Sequence, residues 1–184
     1  DVMEEAAAVP NAMRDAIFSP FQNYDLKLGL SSGYVKDPQS GYMLRSWLNV
    51  SAKDLQIVRA ADGYAISLTT VCLTSDIKGY IHDSNMMKFE FGVKEENLEW
   101  IKENGIRFSL LLPIKKPGSY YLRVAVRDES SGKVGSAYEY VSIPDLNKGR
   151  LAMSNMFIIN NADDVSWIWS GKTKEESRRL LAPV

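Results

Sequence analysis

The sequence predicts a mainly β protein, an antiparallel β-sandwich of the immunoglobulin or fibronectin III kind. Apolar residues alternate with polar ones in about eight segments, which is the period of a half-buried strand. Turn residues separate these segments at intervals of roughly 8 to 20 residues, as in a sandwich. Only two segments show the helical period, so helices are too few for the crossovers that a parallel sheet requires.

The first helix is predicted within residues 6–18. This segment is rich in Ala and Met, and Pro10 stands where a helix can begin. Met13, Ala16 and Ile17 fall on one face at helical spacing. A short N-terminal helix with one buried face follows from this pattern.

The second helix is predicted from Glu95 to Asn104, as a connector between strands. Leu98 and Ile101 form its small apolar face, and Gly105 follows where a helix commonly ends. Before this helix, Asp62 and Gly63 are typical of a type I′ hairpin turn, which needs positive φ at both central residues.

Two strands near residue 117 carry the clearest alternation in the chain. Lys116, Pro117 and Gly118 supply the turn between them. We expect their apolar members to be buried on facing or adjacent strands, because the alternation continues across the turn. These members are Leu110, Leu112, Tyr120, Leu122, Val124 and Val126. The intervening Tyr121, Arg123 and Arg127 are expected to face water.

Three regions follow from this pattern. Residues 1–22 are a helical lead-in, residues 23–159 are the β-sandwich domain, and residues 160–184 are a C-terminal tail or interdomain segment. The boundary near residue 160 rests on a change in composition, because the chain beyond it is polar apart from a short apolar run. The chain starts with acidic residues and without an initiator Met, so we expect a piece cut from a longer protein.

Composition excludes most familiar chemistry and several partner classes. Lys and Arg number 22 against 23 Asp and Glu, so no global field attracts nucleic acid or an anionic membrane. No apolar run approaches the roughly 20 residues that cross a bilayer. The single cysteine, Cys72, excludes an intramolecular disulfide, and the single histidine, His82, excludes multi-histidine zinc sites. We therefore predict neither nucleic-acid binding nor membrane insertion, and no cofactor.

The candidate reactive groups are explained better by structural roles. Cys72 lies in an alternating apolar row, which indicates a buried core thiol, and His82 lies in a turn-like stretch, which indicates a loop. Acidic pairs in loops leave calcium binding open, although none has the spacing of an EF-hand. These pairs are Asp76 with Asp83, Asp128 with Glu129, and Asp163 with Asp164. No pair is singled out for glycoside hydrolysis.

Several runs resemble the region downstream of the von Willebrand factor A domain in bacterial VWFA-related proteins, which are abundant in Acidobacteria. The longest is residues 113–128, continued by residues 131–137. Shorter similar runs, in the expected order, are residues 13–16, 19–21, 141–146 and 148–154. Together they cover most of residues 11–159. The resemblance implies an extracytoplasmic bacterial protein with an A domain on the N-terminal side of this chain and a further β domain after residue 159.

The metal site of the A domain is not carried over to this chain. That site requires Asp-x-Ser-x-Ser after a buried parallel strand, whereas the nearest string, which begins at Asp128, has Gly132 in place of the second serine. The strand before it is amphipathic, unlike the one that the motif follows. No metal ligand is therefore predicted.

The sequence predicts a noncatalytic module that acts as a spacer or protein-interaction platform. Its expected partners are neighbouring domains of the same polypeptide or another protein, and neither their identity nor an oligomeric state is predicted. The candidate interaction residues are Tyr121, Arg123, Arg127, Trp167 and Trp169. The two tryptophans stand in a polar tail, so we expect them to be covered, either by folding back as an edge strand or by a partner. The alternative is a carbohydrate-active enzyme or carbohydrate-binding domain with an unidentified site.

Overall fold

The structure is a computed structural model that describes residues 9–37, 41–148 and 168–169. These residues form two short α-helices and nine β-strands, with 3₁₀ turns between some of them. In chain order the elements are α1 (Asn11–Phe18), β1 (Leu28–Asp37), β2 (Gly41–Val50), β3 (Val58–Ala60), β4 (Gly63–Asp76), β5 (Ile81–Val93), α2 (Leu98–Asn104), β6 (Ile106–Ile114), β7 (Gly118–Asp128), β8 (Val134–Ile143) and β9 (Ile168–Trp169).

The strands form two sheets, and every pair is antiparallel except β6 with β9. The smaller sheet has the order β1-β2-β6-β9. The larger has the order β5-β4-β7-β8, with the short β3 beside the start of β4. Strands β1, β2 and β6 thus correspond to A, B and E of an immunoglobulin-type sandwich, and β5, β4, β7 and β8 to C′, C, F and G. The predicted mainly β sandwich is confirmed.

The core lies between the inner faces of the two sheets. Phe108 of the smaller sheet is fully buried, and its ring centroid lies 4.7 Å from that of Phe89 in the larger sheet. Phe91, on the same strand as Phe89, lies 5.9 Å from Phe108. These rings join the two layers near the β5 edge of the sandwich.

The predicted register of β6 and β7 is confirmed. All six apolar residues that were expected on the core side are buried. Because β6 and β7 belong to opposite sheets, these residues face one another across the core. Tyr120 also fixes the corner between the two strands, since its hydroxyl donates a 2.6 Å hydrogen bond to the carbonyl oxygen of Lys116. This is the tyrosine corner found at the start of strand F in immunoglobulin-type folds.

The first helix covers part of the outer face of the larger sheet. Met13, Ala16 and Ile17 are buried, as their spacing predicts. They pack against an apolar patch of β4, β7 and β8 that comprises Val71, Leu73, Ala125 and Val134. The lead-in segment therefore shares a second, smaller apolar cluster with the sandwich.

The connector helix α2 lies within the predicted range and Gly105 ends it, but the α-helix begins at Leu98 because Glu95–Asn97 form a 3₁₀ turn. Gly105 has φ +76°, and a Cβ on it would collide with the carbonyl oxygen of Val50. Both the backbone conformation and the close approach of β2 thus require glycine at this position.

The hairpin near Gly63 forms, but its predicted turn type is wrong. Ala60 pairs with Gly63, so Ala61 and Asp62 are the central turn residues, and neither has positive φ. Gly63 itself, the first residue of β4, has φ +132°. The positive φ of Gly63 therefore belongs to the first residue of β4 and not to a central residue of a type I′ turn.

Candidate interaction surface

The outer face of the larger sheet carries three exposed tyrosines on the neighbouring strands β7 and β8. Tyr121 of β7 pairs with Tyr140 of β8, and Arg123 pairs with Tyr138. The exposed fractions are 37% for Tyr121, 46% for Tyr138 and 51% for Tyr140. We call Tyr121, Tyr138 and Tyr140 the tyrosine surface. Regular antiparallel pairing fixes the backbone beneath all three.

The rings of the tyrosine surface are held at an angle to one another. The Tyr121 and Tyr140 centroids lie 5.4 Å apart with an interplanar angle of 62°. The hydroxyl of Tyr140 donates to Oγ of Ser119 at 2.8 Å. The guanidinium of Arg123 lies 5.6 Å from the Tyr138 centroid, a cation–π distance. These contacts order the rings before any partner arrives.

Arg123 is half-buried and also holds the N-terminal segment. Its Nη1 atom donates to the carbonyl oxygens of Ile17 and Ser19. The residue therefore does not simply face water as the alternation suggests. Because the end of α1 covers one side of its head group, Arg123 offers a partner only the part of its surface that lies beside Tyr138.

Arg127 does not join the tyrosine surface. It is half-buried near the far end of β7, and its Nε lies 4.0 Å from the nearest carboxylate oxygen of Glu129. Ala125 lies between Arg127 and Arg123 on the same face, and it is fully buried in the apolar cluster that α1 forms with the sheet. The structure thus separates two residues that sequence reasoning placed on one surface.

The tail residues of the predicted surface are described only in part. Trp167 lies outside the described residues. The backbone of Ile168 and Trp169 forms β9, with Ile168 paired to Phe108 and Trp169 to Ser109. At these two positions the chain folds back as an edge strand, one of the two outcomes expected for the tail.

A cleft of about 450 Å³ adjoins the tyrosine surface. The residues that line it include Phe18, Pro20, Ile77 and Ile81, together with Tyr121 and Tyr138. Phe18 and Ile77 are more than half exposed. The apolar area available to a partner therefore extends from the tyrosines to the end of α1 and the β4–β5 turn.

The β4–β5 turn beside this cleft is organised by Asp76. Its Oδ1 accepts backbone hydrogen bonds from Lys78 at 2.8 Å and Tyr80 at 3.0 Å, and its Oδ2 lies 3.5 Å from Nε2 of His82. Partial desolvation acts to raise the pKa of Asp76, but these backbone donors and His82 outweigh it, so the pKa is lowered. His82 was predicted in a loop, and this is wrong, because it lies in β5 and its ring meets Tyr120 edge-on at 5.5 Å.

Two other candidate groups have structural roles. Cys72 is a free, buried thiol, as predicted, and burial raises its pKa to about 12. Asp128 is fully buried and accepts hydrogen bonds from the backbone of Gln56 and Ser130 and from the Ser131 hydroxyl. Among the described residues, no three His, Cys, Asp or Glu side chains gather as a metal site would require.

Sequence reasoning missed Tyr138, Tyr140 and Phe18. The first two occupy alternate positions of a predicted strand, so their shared face could be read from the period of two. The contact of Tyr140 with Tyr121 and that of Tyr138 with Arg123 depend on the β7–β8 register, which turn chemistry did not specify. The contribution of Phe18 depends on where α1 docks.

A scan of protein-family models and a search of curated proteins both find no match. Among solved structures, a Bacteroides uniformis β-glucuronidase matches 63% of this chain and 13% of its own chain, with 13% identity and a TM-score of 0.37. A calcium-binding mutant of Bacteroides uniformis β-glucuronidase 2 gives the same values. This chain therefore spans a small fraction of these proteins, and so loose a likeness carries no argument about activity. No helix among the described residues is long and apolar enough to cross a membrane.

Proposed function

We propose that this chain is a noncatalytic β-sandwich module of a larger bacterial extracytoplasmic protein, and that the tyrosine surface binds a neighbouring domain of that polypeptide or another protein. The extracytoplasmic setting and the neighbouring domains rest on the resemblance to VWFA-related proteins. The binding role rests on one observation, the half-exposed cluster of Tyr121, Tyr138 and Tyr140 on two paired strands.

The chemistry of this surface suits a protein partner. Tyrosine and arginine are enriched at the centres of protein interfaces, where they supply much of the binding energy. A tyrosine brings a large contact area and has few rotatable bonds to immobilise. Here the ring contacts and the Tyr140 hydrogen bond already restrict those bonds. Preordering of this kind lowers the entropy that binding must offset.

The ring geometry favours a protein over a carbohydrate. A sugar ring stacks on an aromatic face that is open and flat, and a chain of sugars needs several such faces in one plane. Tyr121 and Tyr140 stand at 62° to each other, and the Arg123 head group lies over the ring of Tyr138. The surface is therefore angular, which matches the mixed side chains of a protein surface better than a planar glycan.

The decisive experiment measures binding of this chain to the domains encoded on either side of it in its gene, by titration calorimetry. Tyr138→Ala with Tyr140→Ala should weaken binding by about 30-fold or more, since central aromatic residues often contribute 2 kcal/mol or above. Tyr24→Ala is the matched control, because Tyr24 is 66% exposed and does not line the adjoining cleft. Its affinity should equal that of the wild type.

Two outcomes would contradict the proposal. In the first, neither neighbouring domain binds the wild-type chain, which overturns the neighbouring domains as the partner. In the second, the double variant binds as tightly as the wild type. A panel of oligosaccharides tests the alternative directly, because sugar binding that disappears in the double variant would assign the surface to carbohydrate recognition.

A further inference from the structure

We propose that the free edge of β5 pairs with β5 of a second copy of this chain, in a two-fold antiparallel dimer centred on Phe89. Within residues 9–37, 41–148 and 168–169, β4 is the only strand hydrogen-bonded to β5. Backbone N–H and C=O groups along its other side therefore point away from the sheet. Such an edge is a template for another strand.

The alternation along β5 restricts which registers are possible. Phe89, Phe91 and Val93 are buried on the core side, whereas Lys88 and Glu90 are exposed on the outer side. When the two-fold axis passes midway between the same residue of the two copies, which we call an axis through that residue, core-facing side chains lie opposite core-facing side chains. An axis between residues would place core residues opposite exposed ones, because a slip of one residue exchanges the faces of a strand. The axis must therefore pass through a residue.

Lys88 and Glu90, the charged residues on either side of Phe89, select Phe89 as that residue. With the axis at Phe89, Lys88 lies directly opposite Glu90 of the second copy, and Glu90 lies opposite Lys88 of the second copy. Opposite charges in direct cross-strand positions stabilise a pair, whereas like charges destabilise it. Moving the axis by one residue in either direction sets Lys88 against Lys88 or Glu90 against Glu90. The Phe89 register is thus favoured over both of its neighbours.

The sizes of the side chains on β5 also fit the Phe89 register. It places Met86 opposite Gly92 of the second copy. Met86 is 38% exposed, and a Cβ at Gly92 would have no neighbour within 4 Å, so there is open space above that glycine. On the core side, the partly buried Met87 lies opposite Phe91 of the second copy and extends the apolar cluster. Pairing therefore covers two methionines without a steric conflict at Gly92.

The dimer would be closed and weak. Each copy contributes the same edge, so the two-fold pairing consumes both edges and stops at two chains. One strand pair buries a small area, which is typical of weak, reversible association. The contact lies on β5 and is separate from the tyrosine surface of β7 and β8. Failure of the dimer proposal would therefore leave the proposed role of the tyrosine surface unchanged, and the reverse also holds.

The test is sedimentation velocity on the chain at low salt, from about 10 μM to about 1 mM, a range that brackets the Kd of weak complexes. We expect concentration-dependent dimerisation that weakens as salt screens the ion pairs. Lys88→Glu alone and Glu90→Lys alone should each be monomeric, because each sets like charges opposite one another. Lys115→Glu, at an exposed turn residue, makes the same change in net charge and should still dimerise.

Charge complementation then tests the register itself. An equimolar mixture of the Lys88→Glu and Glu90→Lys proteins should form a heterodimer, because each Glu then faces a Lys. The double exchange Lys88→Glu with Glu90→Lys should restore the homodimer. Restoration by either route also shows that the single variants are folded. A wild type that stays monomeric at about 1 mM overturns the proposal, as does a dimer that Lys88→Glu leaves intact or a mixture that does not associate.

Discussion

Arg123 of β7 donates hydrogen bonds from Nη1 to the carbonyl oxygens of Ile17 and Ser19, at 3.1 Å and 2.8 Å. Both carbonyls lie at the end of α1, where a helix has no backbone donors of its own left to offer. A cation there also complements the negative end of the helix dipole. Because α1 has 8 residues, it is too short to be stable in isolation, so contacts of this kind hold it in place.

Arg123→Ala should lower the free energy of unfolding by about 1–3 kcal/mol, because two partly buried carbonyl oxygens lose their charged donor. Urea denaturation measures this change. Arg123→Lys should lose less, since an ammonium can still reach one carbonyl oxygen but cannot reproduce the planar guanidinium. Equal stability of Arg123→Ala and wild type would show that α1 does not depend on this residue.

Phe108→Ala should lower the free energy of unfolding by about 3–5 kcal/mol. The Phe108 side chain is fully buried against Phe89 and Phe91, so its removal loses apolar burial and leaves a cavity. Glu103→Ala, at an exposed position of α2, is the control and should stay within about 0.5 kcal/mol of the wild type. A loss below about 1 kcal/mol for Phe108→Ala would contradict the described core.

Cys72 should react with a thiol reagent only as the protein unfolds. Burial raises the pKa of its thiol from 9.0 to about 12, so a thiolate is suppressed in the folded state. The folded protein then holds this proton more tightly than the unfolded chain. The Cys72 contribution to stability is therefore complete below pH 9 and is lost as pH rises through the folded-state pKa. The labelling rate in urea should follow the unfolded fraction. Fast labelling without denaturant would contradict the burial of Cys72.

The fold could be predicted from sequence because its signals are local. The period of two along β6 and β7 assigns Leu122 and Val124 to the core, and turn residues mark where each strand ends. Gly105 likewise marks the end of α2. The turn before Gly63 was predicted wrongly, because the same dipeptide fits more than one hairpin geometry. Here Gly63 is required instead by the carbonyl oxygen of Val93, which leaves no room for a Cβ.

The candidate site could be predicted only in part, because it depends on pairing between distant segments. Exposure of Tyr121 follows from alternation along its own strand. Its contact with Tyr140 depends on register, and the partial covering of Arg123 depends on where α1 docks. The single sequence specifies neither, since many sheet positions could receive an apolar helix face. His82 was assigned to a loop for a related reason, because the length of β5 is set by pairing with β4.

Glu139 is a charged residue on the core side of the edge strand β8. It pairs with Leu122, whose side chain is fully buried, so its carboxylate points inward toward Ser32 of the smaller sheet. Inward-pointing charges on edge strands oppose pairing with another molecule. Desolvation raises the pKa of Glu139, and hydrogen bonds from the Ser32 side chain and backbone offset this only in part. Its Oε2 atom is buried without a hydrogen-bond partner among the described residues.

Glu139→Gln should therefore stabilise the protein at pH 7, because the variant buries no charge at this edge. A folded-state pKa above the ordinary 4.5 means that the folded protein binds the proton more tightly than the unfolded chain. The Glu139 contribution to stability is thus complete below pH 4.5 and is lost as pH rises through the folded-state pKa. The advantage of Glu139→Gln in urea denaturation should shrink as pH is lowered, since the protonated wild type is also neutral. Glu103→Gln removes a carboxylate from an exposed site and should show no such trend. An advantage that is constant from pH 7 to acid, or a destabilised Glu139→Gln at pH 7, would show that the Glu139 charge is better solvated than its position in the sandwich implies.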